Sequence, residues 1–385
     1  MKYTYGIKFR ELCKPDSLDA KKVKGKILVC LRGITDRVDK GWQAALAGAV
    51  GMVLANNEAS GNEIIADAHF LPATHINYTD GLALLSQMNK TRSPMARITK
   101  TTTLLDTKPA PEMAGFSSLG PNPVMPEILK FSCSQPDITA PGVSIIAAFS
   151  KVSGPTGEDY DTRHVKFNAE SGTSMSCPHV AGVVGLLKKL YPKWSPSAIK
   201  SAIMTTARTL DNTWHPISNN SHSKATPFNY GGGHIDPNRA MDPGLVYDLR
   251  ITDYLNLLCT FGFNQTQIKL LWDKAYACPK QNISLVDFNY PSITVPNLKG
   301  SVIMTRKVKN VGSPGTYKAF VQSPPGISVQ IEPDELEFKS VGEEKGFNIK
   351  IQPKKHGCRK DYVFGKLTWS DGQHNVTSPI VVKQI

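Results

Sequence analysis

Apolar positions along the chain follow three rhythms in succession. From residue 25 they come as short blocks with turn residues between them. Gly25-Lys26-Ile27-Leu28-Val29-Cys30-Leu31 reads as a strand ending in a turn at Arg32-Gly33, and Asp39 to Gly48 reads as a helix. Gly51-Met52-Val53-Leu54-Ala55 is a second strand, closed by Asn56-Asn57. Leu71 to Ile76 is a third, and Asp80 to Asn89 a second helix. This alternation predicts a small α/β unit over residues 1–105. The middle of the chain changes to helical spacing. An apolar run, Val183 to Leu190, is followed by Trp194-Ser195-Pro196, where Ser195 is the N-cap and Pro196 the first helical residue. Ala198, Ile199, Ala202 and Ile203 then mark a buried face ending at Ala207. After a linker, 249–285, holding a helix from Tyr254 to Cys259, the period falls to two. Ser301–Val311, Tyr317–Val321, Ile327–Ile331, Leu336–Phe338, Phe347–Ile351, Tyr362–Trp369 and Pro379–Val382 alternate, with turns such as Pro324-Pro325-Gly326 and Asp371-Gly372 between them. Short strands at this spacing predict a β-sandwich over 286–385.

One stretch stands apart: Ser171-Gly172-Thr173-Ser174-Met175-Ser176-Cys177-Pro178-His179-Val180-Ala181-Gly182. Small residues lead in and an apolar run leads out, so Ser174 is expected at the start of a largely buried helix. Unpaired backbone N–H groups and the positive end of the helix dipole meet there, and both stabilise a developing oxyanion. Ser174 is therefore the candidate nucleophile.

This segment resembles the active-serine segment of the subtilisin-like serine peptidases, its Ser-Cys-Pro-His variant that of the plant branch. Other stretches agree. "KVKGKILVCLRG" and "LPATHINYTDG" resemble the protease-associated domain inserted in plant subtilases. Phe116-Ser117-Ser118-Leu119-Gly120-Pro121 resembles a family segment with leucine in place of the usual arginine. Pro136-Asp137-Ile138-Thr139-Ala140-Pro141-Gly142 matches the strand and turn before the active helix. Gly231-Gly232-Gly233-His234 and Asp242-Pro243-Gly244-Leu245-Val246-Tyr247-Asp248 also match, and the sandwich resembles the closing fibronectin type III-like domain. The implied fold class is α/β, subtilisin-like but incomplete, with an inserted α/β protease-associated domain and an all-β C-terminal sandwich. The implied domains are the protease-associated domain (1–105), the last part of the catalytic domain (106–248), the linker (249–285) and the fibronectin type III-like domain (286–385). The resemblance implies a serine endopeptidase acting on a protein or peptide substrate without cofactor or metal, and self-association through the inserted domain.

Charge and cysteines adjust this picture. The net charge is +13, but the basic residues are scattered among acids without a nucleic-acid motif, so nucleic acid is not the expected partner. No apolar run reaches the length of a membrane span. Six Asn-x-Ser/Thr sequons, at Asn77, Asn89, Asn219, Asn264, Asn282 and Asn375, point to the secretory route. Seven cysteines fit an oxidising compartment. Cys13 with Cys30 and Cys259 with Cys278 are the expected disulfides, leaving Cys133, Cys177 and Cys358. The N-terminal Met1-Lys2-Tyr3-Thr4-Tyr5-Gly6 has no apolar leader core, which suggests that the sequence starts inside a longer one.

The rest of a subtilisin site does not accompany the serine. A histidine must take the hydroxyl proton, an aspartate must orient it, and a side-chain amide completes the oxyanion hole. The chain contains no Asp-Ser/Thr-Gly, His-Gly-Thr-His or Ala-Gly-Asn-x-Gly segment. His69, His75 and His234 read as structural, His164 replaces a usual arginine, and His179 reads as a packing residue of the Ser174 helix. Asp137 corresponds to a structural aspartate. The expectation is a peptidase by family that carries only Ser174 of its triad and is inactive alone. The alternative is a non-catalytic remnant serving as an interaction module. In the family that the chain resembles the lysine is followed directly by the proline, so Phe131-Ser132-Cys133-Ser134-Gln135, between Lys130 and Pro136, is expected to be the retained end of an intron.

Overall fold

The computed structural model describes residues 12–122, 125–127, 136–281, 283–354 and 361–385. Phe131–Gln135, Asn282, Cys133 and Cys358 lie outside these. The chain forms two compact units. One comprises Met1–Phe116, Pro141–Ser176 and Ser218–Ser223, the other Ser117–Ala140, Cys177–Ile217 and Lys224–Ile385.

The first unit opens with α1 (Ala20–Val23), β1 (Ile27–Leu31), α2 (Arg37–Leu46), β2 (Gly51–Ala55), β3 (Ala73–Ile76) and α3 (Tyr78–Lys90). The strands form a parallel sheet in the order β1-β2-β3. The central strand β2 is buried at every position, as a continuous apolar run between two neighbours requires. Asn77 starts α3 by accepting the Asp80 N–H at 2.7 Å. The core gathers Cys13, Cys30, Ala44, Met52 and Leu54. Cys13 and Cys30 are disulfide-bonded with Cα atoms 5.6 Å apart, as the sequence leads one to expect. Lys40 is fully buried among them. Its ammonium donates to the carbonyls of Leu12 (2.6 Å) and Gly33 (3.0 Å) and to Thr35 Oγ1 (2.8 Å). With no carboxylate bonded to it, burial dominates and lowers its pKa to about 8. An antiparallel pair, β4 (Ile145–Ala148) and β5 (Phe167–Glu170), completes the unit and leads into α4 (Thr173–Leu190).

The first turn of α4 belongs to the first unit and the remainder to the second. There follow α5 (Pro196–Thr205), α6 (Pro227–Tyr230), α7 (Pro237–Ala240), β6 (Leu245–Val246), α8 (Ile251–Thr260) and α9 (Gln265–Leu271). Ser195 caps α5 through the Ala198 N–H at 2.9 Å, with Pro196 in the first turn, and the helix ends at Thr205. The Cys259–Cys278 disulfide is present, with a Cα separation of 5.8 Å.

The C-terminal strands are β7 (Ile293–Leu298), β8 (Val302–Asn310), β9 (Gly315–Gln322), β10 (Ile327–Glu332), β11 (Glu335–Phe338), β12 (Glu344–Pro353), β13 (Val363–Ser370) and β14 (Asn375–Gln384). They make two sheets, β10-β12-β8-β6 and β11-β9-β13-β14-β7. Their inward residues close one core around Trp369, Phe347, Tyr317, Phe338 and Ile380. All seven strands read from alternation are present. Two further ones are not legible that way. β7 carries Pro296 and lies at a sheet edge, where a missing N–H is tolerated. β6 has only two residues, and pairs Leu245 with Asn310 and Val246 with Lys309.

The Asp242–Asp248 motif thus acts as a seam within the second unit. Leu245 and Tyr247 enter the sandwich core. The Tyr247 N–H donates to Ser201 Oγ on α5 at 2.8 Å, and Ser378 of β14 donates to the Tyr247 hydroxyl at 3.0 Å. Asp248 accepts hydrogen bonds from Ser195 and Ser197 at the start of α5 and pairs with Lys309 at 3.5 Å.

Candidate functional site

The candidate site is built on the passage from β5 into α4. Gly172 donates its N–H to the Gly142 carbonyl at 2.8 Å, and Ser171 Oγ accepts the Ser144 N–H at 2.7 Å. These two bonds tie the entry of α4 to the Pro141-Gly142 turn. A Cβ at Gly142 would lie 2.2 Å from Ser176 Oγ and 2.9 Å from the Gly172 carbonyl. The turn therefore fits only glycine. This is the physical content of the Ala140-Pro141-Gly142 motif, a contact the sequence carried without showing its partner.

Ser174 is the second residue of α4 and is solvent exposed. Among the described residues its backbone N–H has no backbone acceptor, and its hydroxyl has no histidine bonded to it. One turn on, Pro178 stands inside the helix and has no N–H to offer the Ser174 carbonyl. The chemistry available here is one hydroxyl and one free backbone donor at a helix N-terminus, where negative charge is favoured.

Two expectations are corrected. α4 is not largely buried: of its 18 residues only Leu187 is, packing with Ala140, Ile199, Ile203, Ile235 and Ala240. Leu186 and Leu190 are 64% and 53% exposed. The described residues pack one side of a helix that is apolar on more than one. His179 is exposed for the same reason, not packed in a core.

Of the other histidines singled out in the sequence, His75, His69 and His234 are held in part-buried settings. His75 bonds the Ile65 backbone at 3.0 Å and Asn56 Oδ1 at 2.7 Å, and burial lowers its pKa. His69 is likewise pushed down by burial. His234 sits in a bridge with Thr139 and Arg208, its pKa also lowered by burial. His164 is exposed. Asp137 accepts a hydrogen bond from the buried Tyr290 hydroxyl and pairs with Lys200 at 3.4 Å. That anchors it within the second unit. Residues 136–140 form no strand, only the Thr139–His234 bridge. Cys177 is the free cysteine among the described residues, and it is exposed. No group of three or more His, Cys, Asp or Glu side chains among them is arranged to hold a metal. None of their helices is long and apolar enough to cross a membrane.

Comparison with known proteins places this geometry. Residues 44–233 match the subtilase family model and residues 287–382 the fibronectin type-III domain model. The chain is 58% identical over 373 residues to subtilisin-like protease SBT5.4 of Arabidopsis thaliana, covering 97% of this chain and 47% of that protein. It is 53% identical to SBT5.3 of the same plant, covering 97% and 48%. Against the soybean (Glycine max) subtilisin-like protease Glyma18g48580 the identity is 44%, covering 97% and 48%. The chain spans about half the length of these relatives. Ser174 falls inside the subtilase match, and the sandwich coincides with the fibronectin match: the chain belongs to the subtilase family.

Proposed function

We propose that this chain is the serine-bearing part of a secreted subtilisin-type endopeptidase and that Ser174 is its nucleophile. The carrying observation is the placement of Ser174, exposed in the first turn of α4 with an unspent N–H beside its hydroxyl, within the subtilase match. In the reaction a base takes the Ser174 hydroxyl proton as Oγ attacks a peptide carbonyl, the Ser174 N–H holds the tetrahedral oxyanion, and the C–N bond then breaks, the amine leaving with that proton and an acyl-enzyme remaining for water to hydrolyse. The first unit's β1-β2-β3 sheet and its helices serve as the inserted protease-associated domain, which in the family is linked to substrate access and self-association. Protein substrates and an extracellular location follow from the same reading, supported by the sequons and the two disulfides.

The base, its orienting aspartate and the oxyanion amide are not supplied by any motif of this sequence. A serine hydroxyl is a weak nucleophile until a base takes its proton, and losing triad members lowers turnover by about 10⁴–10⁶. Alone, the chain neither hydrolyses peptides nor labels with a fluorophosphonate. Fused behind the part of SBT5.4 that it does not span, it labels stoichiometrically, and Ser174→Ala abolishes the labelling. Labelling of the isolated chain at Ser174 would show that a base was overlooked. A folded fusion that stays unlabelled would sink the nucleophile assignment and leave the interaction-module reading.

A further inference from the structure

The hairpin turn between β13 and β14 carries a histidine held between two carboxylates from distant parts of the sequence. His374 Nδ1 lies 2.7 Å from Asp371 Oδ2, and Nε2 lies 3.0 Å from Asp242 Oδ2. A carboxylate oxygen only accepts hydrogen bonds, so both ring nitrogens must donate. Only the imidazolium can do that. The neutral ring has one N–H and leaves a lone pair facing one of the two carboxylates.

The surroundings hold the ring in place. Asp371 Oδ1 accepts the N–H groups of Gln373 (2.9 Å) and His374 (2.6 Å), and Ser370 Oγ donates to the His374 carbonyl at 2.8 Å. The buried Tyr317 hydroxyl of β9 lies 3.4 Å from Nδ1. On the other side Gly244, at φ +75°, brings the Asp242–Gly244 loop against the ring; a Cβ there would lie 2.9 Å from His374 Cβ and Cγ and 2.4 Å from the Tyr317 hydroxyl. The charged and titratable groups facing His374 are therefore Asp371 from its own turn, Asp242 from the seam and Tyr317 from β9. The His374 side chain is 14% exposed.

We propose that His374 is a proton-operated latch. Protonated, it holds the exposed Asp242 carboxylate against the fibronectin-type sandwich, to which the neighbouring Gly244 carbonyl is already bonded by the Val311 and Gly312 N–H groups, and on losing its proton it releases that carboxylate. Burial pushes the His374 pKa down, but the hydrogen bonds and charges of Asp371 and Asp242 outweigh it, and the pKa stands above the ordinary value. A base whose pKa is raised by folding adds stability that is complete below its unfolded value, near 6.5, and fades as the pH rises through the folded value. The latch is thus closed in an acidic compartment and opens on the alkaline side. This inference is independent of the assignment of Ser174.

Histidine Cε1–H resonances of the full chain, ¹³C-labelled at its nine histidines, test it, with His374→Gln assigning the signal. The His374 signal titrates above 6.5, and Asp242→Asn moves its midpoint down. In urea the difference in midpoint between the parent chain and Asp242→Asn is largest below pH 6.5 and closes as the pH rises through the His374 midpoint. Asp242→Glu keeps the carboxylate and retains part of the shift, serving where Asp242→Asn folds poorly. A His374 midpoint at or below 6.5, or one indifferent to position 242, would overturn the latch.

Discussion

The sandwich and helix α4 are both written in apolar residues, yet they are finished to different degrees. In the sandwich the inward residues of the two sheets meet, and twenty side chains close into one buried cluster. In α4, Val183 to Leu190 is apolar but for its two lysines, yet Leu187 alone is buried while Leu186 and Leu190 face solvent. A helix apolar on several sides is the pattern of a buried element. The comparison teaches that the sandwich is satisfied by its own strands together with Leu245 and Tyr247, whereas α4 is written for more cover than the described residues give it. Ser174, the proposed nucleophile, stands exposed in the first turn of that helix.

The largest effect that could break this comparison is in the sandwich. Trp369 is fully buried against Phe347, with ring centroids 5.0 Å apart. Trp369→Ala removes the largest side chain of a closed core and is expected to cost about 3–5 kcal/mol in urea unfolding. A loss below ~1 kcal/mol would mean that the sandwich core is no better closed than α4.

The next effect concerns the Cys259–Cys278 disulfide of the second unit. Cys259–Cys278 closes a loop of sequence separation 19 beneath α8 and α9. Replacing both cysteines with alanine is expected to lower stability by roughly 3 kcal/mol. It should do so with the sandwich's strand signature unchanged by circular dichroism. If the strand signature collapses as well, the sandwich is less self-sufficient than its core implies.

What the sequence disclosed follows from the range of the interactions. Alternation reports burial against a facing sheet, so seven of the sandwich strands, β8 to β14, were legible from it. The cysteine pairs were legible because each bridges a short loop. The two-residue β6 was not, because its strand character comes from Asn310 and Lys309, more than sixty positions on. The His374–Asp242 contact joins positions 132 residues apart and leaves no local mark. The exposure of α4 was misread for a related reason. Local pattern tells how much cover a helix needs, and only the rest of the fold tells how much it receives. Ser174 itself was legible because small residues, a serine and a helix start lie within one turn.

The smallest effect sharpens the comparison from inside α4. Leu187→Ala opens a cavity among Ile199, Ile203 and Ile235 and is expected to cost about 2–4 kcal/mol. Its neighbour Leu186, 64% exposed, has no such partners. Leu186→Ser should change the stability of the isolated chain by no more than ~0.5 kcal/mol. The same substitution should reduce binding of an apolar dye, since it removes part of an uncovered apolar stripe. In the fused chain of the labelling experiment, a covered Leu186 would instead show a loss approaching that of Leu187. A Leu186→Ser effect that is equally small in both settings would mean that this side of α4 belongs to solvent, and that the unfinished helix is simply a surface helix.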